Sequence, residues 1–262
     1  MKKYKYVVVN GCSLSVDPPH NSADLGIPKD GKSYGKLISK HYGAKCYDLT
    51  NCGNSMQGTH RRILDWCGKN TDKFEDTLII VGVTITGRVE IWNNKYNDGG
   101  GLHWHSDTEY FQPPRSLLDK FKDRLLIYWP PEQRKNYWIN FHNENAEFFL
   151  MTQNIIGLQS FLTLNNIDHV FFDAMGPLNK YWENTCDDKE DKFGHKLLFD
   201  NLVTYENWYK HPKWDSLLDL TESEIEMRIG PTDLGEDFHP NKKGHKYWAK
   251  CLMEFIDEKI NT

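Results

Sequence analysis

The run Val7-Val8-Val9-Asn10-Gly11-Cys12-Ser13 places a hydroxyl directly behind three β-branched residues and a glycine. Such residues favour a strand, and the glycine permits a tight turn at its end. Ser13 therefore falls at the C-terminal end of a first strand, where open α/β sheets gather their ligands. A second strand ends in Asn51-Cys52-Gly53-Asn54-Ser55, where Gly53 can expose a backbone N–H before the next helix. A third ends in Gly82-Val83-Thr84, and Glu236-Asp237-Phe238-His239-Pro240 lies in an expected loop just before the last helix. A serine, exposed amides, an imidazole and a carboxylate are the parts of nucleophilic acyl transfer.

The elements that must position these parts follow from the hydrophobic pattern. Short β-branched runs alternate with longer helical patterns, which argues for βαβ units and a parallel sheet. Expected strands are Tyr6 to Val9, Lys45 to Leu49, Thr77 to Val83 and His169 to Phe172. The third, TLIIVGV, is apolar throughout and suits a central strand buried on both faces. Tyr34, Leu37, Ile38 and His41 share one face of a helix that stops at Gly43, and Asn54 to Cys67 reads as another helix. Phe148, Met151, Ile155, Leu158 and Leu162 recur at 3/4 spacing on a long core-facing helix, and Asn241 to Ile260 closes the chain as an amphipathic one.

With 262 residues, 39% hydrophobic and 13% aromatic, the chain has material for a substantial core, which excludes disorder for most of it. Thirty-two basic against 37 acidic residues leave a net charge of −5, so no broad basic surface for nucleic acid is expected. The apolar run after Lys5 is too short for a signal-peptide core, and no stretch reaches the roughly 18 apolar residues of a membrane span. The expected location is the cytoplasm. Cysteines 12, 46, 52, 67, 186 and 251 form no CxxC pair and read as reduced thiols. Residues 87 to 140 and 175 to 232 are long and aromatic-rich for connections, so they read as insertions near the functional end of one domain spanning residues 1 to 262.

Two motif matches are literal only. Gly26-Ile27-Pro28-Lys29-Asp30-Gly31-Lys32-Ser33 satisfies the phosphate-loop pattern GxxxxGK[ST], with Asp173 as a nominal magnesium partner. That loop works by aiming consecutive N–H groups at phosphates from the end of a strand. Here no strand precedes it, Pro28 removes a donor, and Asp30 sets a carboxylate beside the polyphosphate. Gly31-Lys32-Ser33-Tyr34-Gly35 matches the GxSxG elbow but also lacks its strand, and Ser33 reads as a helix-start residue. His103-Trp104-His105 with Asp107 has metal-ligand spacing, yet a surface aromatic loop explains it better and no metal is expected. The insertion's aromatic side chains, among them Trp104, suit sugar rings or a core. Arg88 and Glu90 read as a paired network beneath the site or as a binder of a substrate carboxylate.

The four blocks, in this order, resemble the SGNH/GDSL hydrolase family of esterases, deacetylases and lipases. The resemblance implies a flavodoxin-like α/β three-layer sandwich with a central parallel sheet, carrying here two aromatic-rich insertions. It assigns Ser13 as nucleophile, Gly53 as the second-block glycine, Thr84 to the place of the third-block asparagine, and His239 as base. The Pro240-Asn241-Lys242-Lys243-Gly244 turn is also similar to the family's. Glu236 matches the usual Asp-x-x-His spacing, while Asp237 matches by residue type, slightly favouring Asp237. Ser13 and Gly53 N–H groups would hold the oxyanion, with the Thr84 hydroxyl or the Asn54 amide replacing the missing asparagine. The pattern Thr84-x-x-x-Arg88-x-Glu90 resembles a variant of tailed phages, which implies a place in the host cell's cytoplasm or in the virion.

The implied activity is that of a serine esterase or deacetylase acting, without cofactor, on a small-molecule or carbohydrate ester through an acyl-enzyme. The alternatives are a non-catalytic phage structural or host-interaction protein on the same fold, and, further off, a P-loop enzyme using residues 26 to 33.

Overall fold

The structure, a computed structural model, describes residues 4–17, 31–85, 88–91, 102–105, 144–178, 195–232 and 235–260. Along the chain these form β1 (Tyr6–Asn10), a 3-10 turn (Ser13–Ser15), α1 (Tyr34–Tyr42), β2 (Lys45–Asp48), α2 (Met56–Lys69) and β3 (Thr77–Val83). Then come β4 (Arg88–Ile91), β5 (Leu102–His105), α3 (Glu144–Leu164), β6 (Asp168–Asp173), α4 (His195–Leu202), β7 (Trp208–Tyr209) and α5 (Leu217–Ser223). A 3-10 turn (Ile225–Met227), β8 (Arg228–Thr232), β9 (Gly235–Pro240) and α6 (Lys242–Lys259) complete it.

The main sheet has the order β2-β1-β3-β6-β7 with every pair parallel. This is the flavodoxin-like arrangement, in which the chain starts near the middle and winds outward in both directions. Period-two alternation divides the strand residues between two apolar layers. Val7, Val9, Leu78, Ile80, Val170 and Phe172 pack on α1, α5 and α6 through Tyr34, Ile38, Leu217, Trp248, Leu252 and Ile256. Val8, Ile79, Val81, Val83 and Phe171 pack on the other face against α2, α3 and α4, including Ile63, Trp66, Phe148, Ile155, Leu158 and Phe199. All seven residues of β3 are buried, as its continuously apolar sequence requires.

Helix starts are set by side-chain caps. Ser55 Oγ accepts from Gly58 N at 3.1 Å, so α2 begins after it and not at Asn54. Asn241 Oδ1 accepts from Lys243 N and Gly244 N, while its Nδ2 donates to the Glu226 and Arg228 carbonyls at 2.8 and 2.6 Å. One side chain thus caps α6 and anchors the start of β8.

The segment 236 to 240, expected as a loop, is the strand β9, antiparallel to β8. Its partner lies in a polar stretch whose alternation is too weak to announce a strand, so the pairing was not legible. Within residues 87 to 140, β4 and β5 pair antiparallel, with Arg88 facing His105 and Glu90 facing His103. The candidate His103-Trp104-His105 segment is therefore strand backbone, and Asp107 lies outside the described residues. Residues 26 to 30 of the phosphate-loop match also lie outside them, whereas Ser33 is buried at the N-cap of α1, its amide donating to Asp17 Oδ1 at 2.8 Å. Among the described residues no helix is long and apolar enough to cross a membrane.

Replacing Asn241 by alanine removes both the cap and the β8 anchor. Urea unfolding should show a loss of about 0.5–2 kcal/mol with an unchanged m-value, the usual range for a lost cap.

Candidate active site

Ser13 opens the 3-10 turn that follows β1, half-buried between the buried Cys12 and Leu14. Gly11 makes this turn possible by close approach, because a Cβ there would lie 2.3 Å from Ser15 Oγ. The hydroxyl of Ser13 meets His239 Nε2 at 2.8 Å across 226 positions of sequence. His239 Nδ1 meets Asp237 Oδ1 at 2.6 Å, and the same oxygen accepts the His239 backbone N–H at 2.9 Å. An ionised Asp237 selects the tautomer with its proton on Nδ1 and leaves the Nε2 lone pair to accept the Ser13 proton. The imidazole is 27% exposed and the carboxylate 14%, so the ring stays reachable while its partner is largely shielded.

Asp237, two residues before His239 in β9, is the carboxylate in contact with it, its Oδ1 bonding to both the ring and the backbone amide of that residue. The side chain of Glu236 lies outside the described residues. Opposite Asp237 in the register stands Gly230, with a φ of +92°, and between this pair and Arg228–Pro240 β9 carries one residue more than β8, a bulge at Phe238 and His239. Phe238 lies against the Arg228 guanidinium, 4.9 Å from its ring centroid.

His245, one turn into α6, braces this region. It is buried, its Nδ1 accepts the Tyr34 N–H at 3.2 Å, and burial pushes its pKa down to about 3. The ring stays neutral and sets no second positive charge beside His239.

Gly53 occupies position i+2 of a turn closed by Asn54 N to Asn51 O at 3.1 Å, and its φ of +71° is the left-handed value that a type II turn needs there. Such a turn rotates the Cys52–Gly53 peptide so that the Gly53 N–H points away from the turn's own hydrogen bond.

The two side chains expected to replace the third-block asparagine are both engaged. Thr84 is buried and its hydroxyl donates to Met175 Sδ at 3.5 Å, a weak acceptor. The Asn54 amide is turned inward, its Nδ2 near Asn10 Oδ1, Thr59 Oγ1 and the Gly11 carbonyl at 3.0, 2.9 and 3.3 Å. The expectation that this amide faces an oxyanion is corrected, because both of its protons are held in the interior. Arg88 is buried, and its guanidinium donates to the Asn54 carbonyl at 3.4 Å. It stands at the second-block turn. The side chains of Glu90 and Trp104 lie outside the described residues.

Sequence reasoning did not single out Asn10, Thr59, Met175 or His245. A polar residue closing an apolar strand was the only signal for Asn10, and its partners are 44 and 49 positions away. Asp173, the nominal magnesium partner of the phosphate-loop match, is buried at the end of β6. Burial is the main cause raising its carboxyl to about 7, and the Trp208 indole lies beside it without hydrogen-bond geometry. No group of three or more metal-ligating side chains occurs among the described residues.

No family model matches the chain, and no curated protein matches it. Among solved structures it is similar to the psychrotrophic esterase EstA from Pseudoalteromonas sp., at 12% identity over 98% of this chain and 100% of that one, with a TM-score of 0.47. It is also similar to TesA, at 10% identity over 96% and 97% of the two chains, with a TM-score of 0.43. A third is the acetyl xylan esterase Est2A from Butyrivibrio proteoclasticus, at 13% identity over 98% of this chain and 65% of that one, with a TM-score of 0.42.

The raised carboxyl of Asp173 has a signed consequence for stability. It holds its proton in the folded state up to about pH 7, whereas the unfolded chain releases it near 3.8. Its contribution is full below 3.8 and is lost as pH rises to about 7, then stays constant. Asp173→Asn should flatten that part of the Tm-against-pH curve and raise Tm at pH 8 relative to the parent.

Proposed function

We propose that this protein is a serine hydrolase of the SGNH type, an esterase or deacetylase that opens an O-acyl ester, a carbohydrate ester among the candidates, through a covalent acyl-enzyme. The observation that carries this reading is the continuous hydrogen-bond chain from Asp237 through His239 to Ser13, 2.6 and 2.8 Å, at the C-terminal edge of a parallel sheet. Both lengths lie within direct proton-transfer reach. The reading treats residues 1 to 262 as one domain, with insertions at about 87 to 140 and 175 to 232 contributing to recognition. The phage association rests on the Thr84-to-Glu90 pattern alone.

In the first half-reaction Ser13 Oγ bonds to the carbonyl carbon as His239 Nε2 takes its proton. Asp237 stabilises the resulting imidazolium and holds the ring in place. The oxyanion is held by the Ser13 and Gly53 N–H groups. The Thr84 hydroxyl joins them by exchanging the Met175 thioether for a charged oxygen, a much stronger acceptor. Each such donor is worth on the order of 2.7–4 kcal/mol in the transition state. Collapse breaks the carbon–oxygen bond to the alcohol, which leaves with the proton from His239. Water, deprotonated by His239, then releases the acid and restores Ser13.

A non-catalytic binding protein is the second reading, favoured by the engagement of Thr84 with Met175. A fluorophosphonate separates the two: Ser13 Oγ displaces fluoride from phosphorus, so the native chain should gain the phosphonyl mass and Ser13→Ala should not. Absence of labelling in the native chain would overturn the hydrolase reading. Where turnover of p-nitrophenyl acetate is seen, Asp237→Asn should lower kcat by roughly 10³–10⁴, the loss expected when the imidazole tautomer is no longer held. Glu236→Gln should change kcat less than about threefold, and a reversal of these two effects would move the acid to Glu236.

A further inference from the structure

We infer that Asn54 is a positioning residue which, with Asn10, clasps the Ser13 and Gly53 turns together and so sets the spacing of the two oxyanion donors. The inference rests on the hydrolase reading for its catalytic consequence and on the hydrogen bonds themselves for its geometry.

Beyond β1 and β2 the ladder continues only through Leu49 N to Val9 O at 2.8 Å and Asn51 N to Gly11 O at 3.2 Å. After those bonds the two chains diverge, one toward Ser13 and the other toward Gly53. Their remaining connection is made of side chains. Asn10 Oδ1 accepts from Gly11 N at 2.8 Å and from Asn54 Nδ2 at 3.0 Å. Asn10 Nδ2 donates to the Thr59 carbonyl at 3.1 Å, and Asn54 Nδ2 also approaches the Gly11 carbonyl and Thr59 Oγ1. Both peptide groups of Gly11, two residues before Ser13, are thereby held by amides, and one of those amides follows Gly53 directly.

The orientation of Asn54 is dictated by its surroundings. Turning the amide over would set its oxygen against Asn10 Oδ1 and the Gly11 carbonyl, two acceptors. The observed orientation leaves Asn54 Oδ1 buried without a hydrogen-bond partner among the described residues. A buried unsatisfied oxygen is unfavourable, and its retention shows that the Nδ2 bonds govern this side chain. Asn10 and Asn54 are both completely buried, so water cannot substitute for the clasp.

The Ser13 and Gly53 amides must converge on one oxygen, and a shift of about 1 Å between them costs up to about 10²-fold in rate. Asn54→Ser keeps one short donor and should slow fluorophosphonate labelling of Ser13 about 10–100-fold, because the phosphonyl oxygen uses the same donors. With p-nitrophenyl acetate the loss should fall on kcat, with KM and the pH profile unchanged, since Asp237 and His239 are untouched. Asn54→Asp, which places oxygen against the same acceptors, should be slower still. Leu162→Ala, a core truncation in α3, serves as the stability control: it should lower Tm at least as far while its folded fraction labels at the native rate.

If the native chain labels and Asn54→Ser labels equally fast, the clasp is overturned and the hydrolase reading stands. If the native chain does not label, the hydrolase reading falls and hydrogen exchange decides the clasp. Faster exchange in Asn54→Ser at both residues 11–15 and 51–55, absent from Leu162→Ala, would support it; unchanged exchange in either segment would overturn it.

Discussion

The hydrogen bond between His239 Nε2 and Ser13 Oγ joins the beginning of the chain to its end, and the arrangement of every layer bears on it. Ser13 stands where it does because β1 is central, paired with β2 on one side and β3 on the other. His239 stands where it does because β9 is tied to α6 and β8 by Asn241, and because α6 packs through Trp248, Leu252 and Ile256 on the face of the sheet that also holds α1. A displacement of either element by an ångström would turn a 2.8 Å contact into one too long for direct proton transfer.

The site is also defined by what burial does to its neighbours. His245 is neutral because it is desolvated, and its nitrogen is spent on the first amide of α1. Asp173 is desolvated too and favours its protonated form toward neutrality. Asp237, by contrast, keeps an imidazole and a backbone amide on one oxygen.

Most of the sheet was legible because its strands are short apolar runs bounded by glycine and polar residues, and because Phe148 to Leu162 keeps helical spacing. β7, with two residues, and the hairpin of β8 and β9 were not, since their sequence alternates too little to stand out from the surrounding polar chain. At the candidate site, strand-end position pointed to Ser13 and Gly53, while the order of the four blocks pointed to His239 with either Glu236 or Asp237. They were insufficient for Asn54, which an oxyanion role and an interior role would require to look identical in sequence.

What the sequence determined by itself is what local physics can carry: the alternation that makes a buried parallel sheet, the glycines where the chain must turn, and the chemical types available at the strand ends. Tertiary structure alone decided how those groups are used. It set Asp237 against His239 within β9, turned the Asn54 amide toward Asn10 and Gly11, and gave the Thr84 hydroxyl to Met175. The reason is that a side chain's direction and desolvation depend on groups tens to hundreds of positions away, and no local pattern encodes which of them will arrive.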